Sequence, residues 1–262
     1  MIGFIGGGKM AEALIKGISS KGNNNIFVSE PLQERRLFLQ SEYRIKSTAS
    51  NKEVADACRI IILAVKPQNM AAVLDDIAAS ITGENIVVSI AAGITLTFLR
   101  ERLKTGKLVR VMPNTPALVQ EGMSVLSLCE CFSEQDITAV REIFMSVGKV
   151  LTLPEKYMNA VTALSGSGPA FIALFTEALV AAGHRMGLAR EHATELALQT
   201  LIGTARLLET GMPPEKLREM VTSPGGTTAA GLKTFEEREL KNIVADALQA
   251  ALKRAEELGG GN

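Results

Sequence analysis

Aromatic residues are scarce in this chain. Tryptophan is absent, tyrosine occurs twice, and aromatic residues make up 4% of the 262 positions. Cysteine and histidine are also rare, with three and two residues. The cysteines, Cys58, Cys129 and Cys131, have no paired metal-ligand spacing, which argues against a disulfide framework and predicts no metal site. We interpret them as buried core or strand residues in a reducing compartment.

An excess of charge of one sign is lacking too. The chain has 28 lysine and arginine residues and 28 aspartate and glutamate residues. The balanced charge therefore gives no long-range electrostatic attraction to nucleic acid or to an anionic membrane. We therefore expect a small-molecule partner, with no nucleic acid and no membrane. The start, MIGFIGGG, lacks the layout of a signal peptide, which predicts a cytoplasmic protein. The most apolar segment, residues 170–187, carries Glu177 and is shorter than a span of ~20 residues, so it is predicted to be a buried helix.

The first half alternates short β-branched runs with amphipathic stretches. This spacing predicts parallel βαβ units with helices on both faces of the sheet. The predicted strands are Ile2–Ile5, Ile26–Ser29, Arg59–Val65, Ile86–Ile90, Lys107–Met112, Met123–Leu128 and Val150–Leu153. The predicted helices between them are Met10–Ser20, Leu32–Gln40, Asn69–Ala79 and Glu134–Val147. The run IIILAV is apolar throughout, as in a central parallel strand.

Strand signals nearly vanish after Glu155, and long helical patterns rich in alanine and leucine follow. Apolar residues trace one helix face from Leu196 to Leu208 and another from Val244 to Leu252. The fold class predicted is α/β, with an N-terminal doubly wound sheet in residues 1–154 and an all-helical domain in residues 155–262. Because aromatic residues are too few to fill a self-contained helical core easily, we expect this domain to pair with a second subunit. The alternative is that its helices pack on the first domain.

The opening IGFIGGGKMAEAL combines a strand, Gly6-x-Gly8-x-x-Ala11 and a helix. In a dinucleotide-binding turn the first glycine permits the bend, the second lets the backbone approach the pyrophosphate, and the third small residue allows helix and strand to pack closely. The phosphates then lie on free N–H groups at the helix N-terminus. The sequence therefore predicts a nicotinamide dinucleotide site in a Rossmann-type domain.

The end of the second strand gives a mixed signal about the cofactor. Ser29 and Arg35 or Arg36 favour the 2′-phosphate of NADP, whereas Glu30 favours a free ribose unless its side chain points elsewhere. A solvated helix face is the alternative for the arginines. We expect NADPH, with NADH possible.

Three later strand ends carry small or polar residues. AVKPQ ends at the edge where open α/β sheets bind ligands, and Lys66 there is a candidate for contact with the nicotinamide ribose or a substrate-side water. SIAAGI leaves space for a flat ring. VMPNTPALV offers Asn114 and Thr115 as hydrogen-bonding groups, with a structural loop as the alternative.

These pieces occur in order with LSGSGPAF, residues 164–171, and SPGGTTAAGL, residues 223–232. Together they resemble the pyrroline-5-carboxylate reductase family from Ile2 to about Leu252. The resemblance implies hydride transfer from NAD(P)H to the C=N bond of 1-pyrroline-5-carboxylate to give L-proline, the last step of proline biosynthesis. It also implies a helical domain that interlocks with a partner subunit, and hence a homo-oligomer built on a helical-domain dimer.

The family pattern also implies roles by position. The residues implied to lie along the cofactor are Gly6, Gly7, Gly8, Lys9, Met10, Ala11, Ser29, Asn51, Val65, Lys66 and Ala92, and the motifs add Arg35, Ala64, Pro67, Ala91 and Gly93 as cofactor-binding candidates. The residues implied to hold the substrate carboxylate are Ser223, Gly225, Gly226, Thr227 and Thr228. Ser165 and Ser167 are candidates for the wall of the same pocket, with a helix-packing turn as the alternative. Thr228 and Lys66 are the catalytic candidates. Two positions depart from the pattern: Met220 stands where relatives carry asparagine, and Glu30 is not a usual feature of the cofactor edge.

The chemistry of an imine reductase fits the residue types present. Hydride addition to an iminium already gives a neutral amine, so no dedicated general acid is required. This suits a chain whose histidines, His184 and His192, lie outside every motif. In SPGGTT the glycines let N–H groups converge at a helix N-terminus, which binds a carboxylate without a cation that repels the iminium. Glu155 and Glu209 are candidate neighbours of the ring nitrogen, with surface roles as the alternative.

Two alternative hypotheses for the function remain. A β-hydroxyacid dehydrogenase relative or another imine reductase would share the layout, but the former depends on a lysine on a second-domain helix, and the helix after SGSGP has none. A non-catalytic NAD(P) sensor would bind cofactor without turnover. Loss of turnover with retained cofactor affinity in Thr228→Ala separates the enzyme from the sensor.

Overall fold

The computed structural model describes residues 1–103, 107–129 and 132–260. Its chain divides into two compact units, one of Met1–Pro169 with Ala250–Asn262 and the other of Ala170–Gln249. The strands of the first unit are β1 (Ile2–Ile5), β2 (Ile26–Ser29), β3 (Lys46–Thr48), β4 (Ile60–Leu63), β5 (Ile86–Ser89), β6 (Leu108–Met112), β7 (Gly122–Leu128) and β8 (Gly148–Thr152). Its main helices are α1 (Lys9–Ser20), α2 (Gln33–Tyr43), α3 (Asn51–Ala57), α4 (Met70–Ile77), α5 (Leu96–Leu103), α6 (Glu134–Met145) and α7 (Met158–Val161).

The eight strands form one sheet in the order β3-β2-β1-β4-β5-β6-β7-β8. Strands β1 to β6 pair in parallel, as the alternating pattern predicts. Strand β7 runs antiparallel to β6, a direction that was not predicted from the sequence. The connection between them holds only a short 3-10 turn, Thr115–Val119, and a parallel pair would need a longer crossover. The three-residue strand β3 was also missed, because its polar residues give no hydrophobic signal.

The sheet is covered on both faces. Ile60 and Ile62 of β4 lie in one buried cluster with residues of α1 and α6. Ile61 and Leu63 lie in a second cluster with residues of α3, α4 and α5. Because successive side chains of a strand point to opposite faces, a strand buried on both sides must be apolar at every position. The prediction of a central strand from IIILAV is confirmed.

A buried carboxylate, Asp136, links the start of α6 to cations that directly precede β4 and β6. Asp136 is 2% exposed and pairs with Arg59 and with Lys107, whose Nζ lies 3.3 Å from Oδ2. The hydroxyl of Ser133, the N-cap of α6, accepts the Asp136 N–H. Burial acts to raise the pKa of Asp136, but hydrogen bonds from Ser133 and Lys107 and the charges of Lys107 and Arg59 outweigh it and lower the pKa.

Asp136→Asn is expected to lower the free energy of unfolding by about 2 kcal/mol near neutral pH, because two cations lose their partner. The folded pKa lies below the ordinary value of 3.8. The contribution is therefore complete above that value and is lost as pH falls through the folded pKa. Urea unfolding from pH 7 to pH 3 should show the wild-type and variant curves converging in acid. Glu134→Gln, at an exposed position of the same helix turn, is the control; parallel curves for Asp136→Asn would contradict the expectation.

The chain after residue 154 contains helices alone among the described residues. After α7 come α8 (Gly168–Arg185), α9 (Arg190–Glu209), α10 (Pro214–Met220), α11 (Thr227–Glu237) and α12 (Leu240–Gly260). The predicted all-helical region, and with it the predicted fold class, is confirmed. The last residues of α12, from Ala250, belong to the first compact unit.

The apolar faces of these helices are largely exposed in the single chain. Leu174 of α8 is 66% exposed and Leu196 of α9 is 58% exposed, whereas the buried cluster here holds only Val180, Ala193 and Ala197. The prediction that residues 170–187 form a buried helix is therefore wrong for one chain. The continuous helical stretch Glu155–Arg185 is long and apolar enough to cross a membrane by length and composition, and 11% of its most apolar window is buried. An exposed apolar area of this extent marks a surface that needs a partner.

Candidate cofactor and carboxylate sites

The glycine-rich turn lies where the strand order reverses. Gly6 follows β1 with φ of +97°, and a Cβ there would lie 2.7 Å from the carbonyl oxygen of Ala64, at the end of β4. The Gly6 N–H donates to the Ser29 carbonyl at 2.9 Å. The turn is thus fixed between the ends of β2 and β4. The β1/β4 boundary is the topological switch point at which open sheets of this order bind ligands.

The helix that follows has an open N-terminus. Gly8 is the N-cap of α1, and no side chain caps the first N–H groups. No atom lies within 4 Å of the position that a Gly8 Cβ would take. Lys9 is exposed and Ala11 is fully buried against the sheet. Uncapped N–H groups beside open space fit a pyrophosphate, so the residues present suit a nicotinamide dinucleotide.

The end of β2 carries a chain of polar side chains. Ser29 is 1% exposed, and its hydroxyl donates to Asn51 Oδ1 at 2.7 Å. The Asn51 amide donates to Asp76 Oδ2 at 3.0 Å. The structure therefore brings together Ser29 and Asn51, two of the residues that were predicted to contact the cofactor.

The charged residues beyond β2 face the glycine turn. Glu30 accepts the Gly7 N–H at 2.9 Å, and Arg35 Nε donates to the Gly7 carbonyl at 2.6 Å. Arg36 donates to the carbonyl oxygens of Glu30 and Pro31 and holds the turn before α2. From the sequence, Arg35 was predicted to contact a 2′-phosphate and the role of Glu30 was left open, so these contacts within the protein were missed. No sequence signal indicates them, since they depend on the folded path of the turn.

Glu12 of α1 extends this network. Its carboxylate pairs with Arg35 at 2.6 Å and accepts the Tyr43 hydroxyl at 3.2 Å. Burial acts to raise the pKa of Glu12, but the hydrogen bond and charge of Arg35 lower it overall. Burial and the Glu12 charge raise the pKa of Tyr43 to about 12. At neutral pH the carboxylate is therefore charged and the phenol stays protonated.

The AVKPQ segment leaves its lysine in solvent. Lys66 is exposed and precedes the 3-10 turn Pro67–Asn69. Ala64 and Val65 are half-buried beside Gly6. Of the second predicted edge, Ala91 and Gly93 are buried and Ala92 is half-buried. A Cβ on Gly93 would lie 2.9 Å from the Leu258 carbonyl of α12, so the end of the chain packs against this loop.

The MPNTP and SGSGP segments meet in the first unit. Asn114 donates its amide to the carbonyl and hydroxyl oxygens of Ser165 at 3.3 Å, and its Oδ1 accepts the Met123 N–H. Residues Thr162–Gly166 form a π-helical turn, a feature found often at functional sites. The Ser167 hydroxyl donates to the Thr162 carbonyl at 3.3 Å.

Glu155 has a defined internal partner. Arg110 of β6 is 4% exposed; it pairs with Glu155 at 3.2 Å and donates to Asn159 Oδ1 at 3.2 Å. Glu155 Oε1 also accepts the Leu96 N–H at the start of α5. These contacts argue for a structural role over contact with a substrate nitrogen. An arginine inside an apolar strand was the available signal, because a buried guanidinium requires a partner.

The cysteines, the histidines and Glu209 lie outside the motif segments of the sequence. Cys58 and Cys129 are buried, whereas Cys131 lies outside the described residues. Burial raises the pKa of Cys58 to about 11, which disfavours the thiolate. His184 and His192 are exposed, on α8 and α9. Glu209 ends α9. Within the described ranges no group of three or more His, Cys, Asp or Glu is placed to hold a metal ion.

SPGGTT, in the second unit, forms a tight turn that opens α11. Gly225 has φ of +71°, and a Cβ on Gly226 would lie 2.5 Å from the Ser223 hydroxyl. Gly226 is the N-cap of α11, with no side-chain cap. Ser223 and Thr227 are exposed and Thr228 is half-buried. The predicted break followed at once by a helix is confirmed, and the turn presents free N–H groups with hydroxyls beside them. Met220, a departure from the family pattern, is 61% exposed at the end of α10.

Models of known protein families match both halves of the chain. A family model described as pyrroline-5-carboxylate reductase dimerisation matches residues 155–258. A model described as NADP oxidoreductase, coenzyme F420-dependent, matches residues 1–93. The exposed apolar helices thus belong to a region whose family model is one of dimerisation.

Several relatives that match along the full length are pyrroline-5-carboxylate reductases. The pyrroline-5-carboxylate reductase of Synechocystis sp. is 40% identical over 265 residues, covering 98% of each chain. The solved structure of the enzyme from Coxiella burnetii matches with a TM-score of 0.92 at 36% identity, over 98% of this chain and 97% of that one. The Plasmodium falciparum enzyme with NADP bound matches with a TM-score of 0.89 at 34% identity, over the same shares. By sequence and fold along its full length, this chain belongs to the pyrroline-5-carboxylate reductase family.

Proposed function

We propose that this protein is an NAD(P)H-dependent oxidoreductase that reduces the C=N bond of 1-pyrroline-5-carboxylate and forms L-proline. The observation that carries the proposal is a pair of uncapped, glycine-led helix N-termini, at α1 and at α11. The reaction involves two anionic groups, the cofactor pyrophosphate and the substrate carboxylate. Each N-terminus suits one of them.

We propose that the cofactor-binding residues lie in the first unit. We assign this role to Gly6, Gly7, Gly8, Lys9, Met10, Ala11, Ser29, Arg35, Asn51, Ala64, Val65, Lys66, Pro67, Ala91, Ala92 and Gly93. Most of them lie at the carboxyl ends of β1, β2, β4 and β5, the edge at which such sheets bind ligands. Of these, the exposed Lys66 is the one proposed to reach the reacting end of the cofactor or a substrate-side water.

The substrate is held by uncharged groups. We assign its carboxylate to the N–H groups and hydroxyls of Ser223, Gly225, Gly226, Thr227 and Thr228, and the wall of its site to Ser165 and Ser167. A cation beside the carboxylate would oppose an iminium nearby, and neutral donors avoid this conflict. A nicotinamide cofactor supplies the hydride when bound. The protonated imine then becomes a neutral amine, which takes its last proton from solvent.

The family supports a proposal for the assembly and the location of the protein. Its dimerisation model supports a homodimer, and we propose a homo-oligomer built on pairing of the exposed helical faces. We place the functional boundary between residues 154 and 155. Burial of α8 against a partner accounts for its apolar surface without a membrane. The family is one of soluble enzymes, and we propose the cytoplasm as the compartment and NADPH as the preferred cofactor.

Turnover is the direct test. Purified protein mixed with 1-pyrroline-5-carboxylate and NADPH, then NADH, is expected to consume the cofactor and form L-proline in equal amounts. Loss of 340 nm absorbance follows cofactor oxidation, and chromatography quantifies proline. Cofactor binding without oxidation of either nucleotide would support a non-catalytic sensor and overturn the proposal.

Thr228→Ala is expected to raise the KM for the imine roughly tenfold while the dissociation constant for NADPH stays unchanged, because one carboxylate hydrogen bond is lost. Thr234→Ala is the matched control: Thr234 is exposed on the same helix and its hydroxyl donates to the Ala230 carbonyl. Steady-state kinetics and NADPH titration measure the two quantities. Normal kinetics with the imine in Thr228→Ala would show that the Thr228 hydroxyl does not bind the substrate carboxylate.

A further inference from the structure

Glu30 stands where dinucleotide-binding sheets place the acidic residue that accepts the ribose 2′-hydroxyl. Here its side chain points into the protein. The residue is 9% exposed; Oε2 accepts the Gly7 N–H at 2.9 Å and Oε1 accepts the Leu32 N–H at 3.1 Å. Both carboxylate oxygens are therefore engaged by the backbone of this chain.

Arg35 holds the other side of Gly7. Its Nε donates to the Gly7 carbonyl at 2.6 Å, and its Nη2 pairs with Glu12 at 2.6 Å. Glu12 lies on α1, the helix that the turn opens. Gly7 is thus held at its N–H by Glu30 and at its carbonyl by Arg35. We name Glu30, Arg35 and Glu12 the Gly7 clamp.

The clamp has a consequence for cofactor binding. The Gly7 N–H is occupied by a carboxylate, so the donors left for phosphate begin after Gly7, at the uncapped start of α1. Glycine-rich backbone has many accessible conformations, and a turn already held in its bound shape loses less entropy when a ligand binds. Fixing Gly7 orients the first N–H groups of α1 before the cofactor arrives.

We propose that Glu30 and Arg35 are positioning residues that hold the dinucleotide turn in its binding shape, and that Glu30 does not select between NADH and NADPH. The choice of these two nucleotides rests on the proposed function. The two roles of Glu30 predict different results. A ribose-binding carboxylate favours NADH and repels a 2′-phosphate, whereas a clamp supports both nucleotides equally.

Equilibrium titration of Glu30→Ala with NADPH and with NADH separates the two roles. We expect both dissociation constants to rise about tenfold, because Gly7 and Leu32 lose their acceptor, with the NADPH-to-NADH ratio unchanged within about twofold. Arg35→Met should likewise weaken the binding of both nucleotides, because the Gly7 carbonyl loses its donor. Glu30→Gln keeps the length and one acceptor oxygen, so it should restore most of the affinity for both nucleotides. Glu34→Ala, an exposed glutamate of the same helix turn, is the control for charge.

Other outcomes overturn the proposal. Weaker NADH binding with tighter NADPH binding in Glu30→Ala would show that Glu30 accepts the ribose 2′-hydroxyl. Unchanged constants for both nucleotides would show that the clamp is not needed. Melting of each unliganded variant reports folding separately, since a purely structural defect lowers the folded fraction but not the affinity of the folded protein. If Glu30→Ala does not fold, Glu30→Gln gives the same ratio.

The result is separable from the proposed function. Binding is measured without imine. A wild-type protein that binds NADPH but does not reduce the imine would therefore overturn the proposed function, and the titrations would still test the role of the Gly7 clamp. A wild-type protein that binds neither nucleotide would overturn both.

Discussion

Gly6→Ala is expected to weaken NADPH binding about a hundredfold, equivalent to about 2.7 kcal/mol. Gly6 has φ of +97°, and an alanine Cβ would lie 2.7 Å from the carbonyl oxygen and 3.0 Å from the carbonyl carbon of Ala64. Both obstacles are backbone atoms of a central strand end, which cannot move aside as a side chain can. The turn must therefore change its path, and the first N–H groups of α1 move with it. NADPH titration and the melting temperature of the unliganded protein measure the two effects.

Two further variants separate loss of the site from loss of the fold. Gly22→Ala also places alanine at positive φ, +82°, but at the end of α1 with no neighbour within 4 Å; it should lower stability by about 1 kcal/mol and leave NADPH affinity unchanged. Gly8→Ala has room for its Cβ in the unliganded chain, so it should leave melting unchanged while it weakens NADPH binding by obstructing the pyrophosphate. Unaltered affinity in both Gly6→Ala and Gly8→Ala would show that the turn does not bind phosphate.

Glu155→Ala is expected to lower the free energy of unfolding by about 3–5 kcal/mol, because Arg110 is left charged and buried. Arg110 is 4% exposed and has Glu155 and Asn159 as its side-chain partners. The variant also removes the acceptor for the Leu96 N–H at the start of α5. Urea unfolding followed by circular dichroism measures the change.

A double variant tests the cause of that loss. If the unpaired charge is responsible, Arg110→Met in the Glu155→Ala background should recover much of the stability, since an apolar side chain can replace a buried ion pair at little cost. Glu121→Ala, at an exposed position, controls for removal of one negative charge. A change below about 1 kcal/mol in Glu155→Ala would show that solvent reaches Arg110 and replaces the carboxylate.

Much of the fold is local in origin and was predictable. Strands β1 and β2 begin and end where the β-branched runs do, because a strand buried on both faces must be apolar throughout. The polar edge strand β3 was missed, and β7 was predicted as a strand but without its antiparallel direction. Their pairing depends on which neighbour the folded sheet offers and on the length of a connection, not on composition.

The candidate site was predictable where backbone shape is the requirement. Gly6, Gly225 and Gly226 were identified because only glycine suits a turn of positive φ or close contact. The partners of charged side chains were not predictable. Glu30, Arg35 and Glu155 all looked available to a ligand, yet each is bound by groups far along the chain, such as Gly7, Glu12 and Arg110.

The order of the elements, the glycine turns and the family can be predicted from the sequence, since each depends on residues that are adjacent in the chain. Which charges remain free for a ligand depends on tertiary packing. A buried carboxylate or guanidinium must find a partner, and that partner is set by how distant segments pack. This is why the acidic residue at the end of β2 holds the turn, while the lysine at the end of β4 stays in solvent.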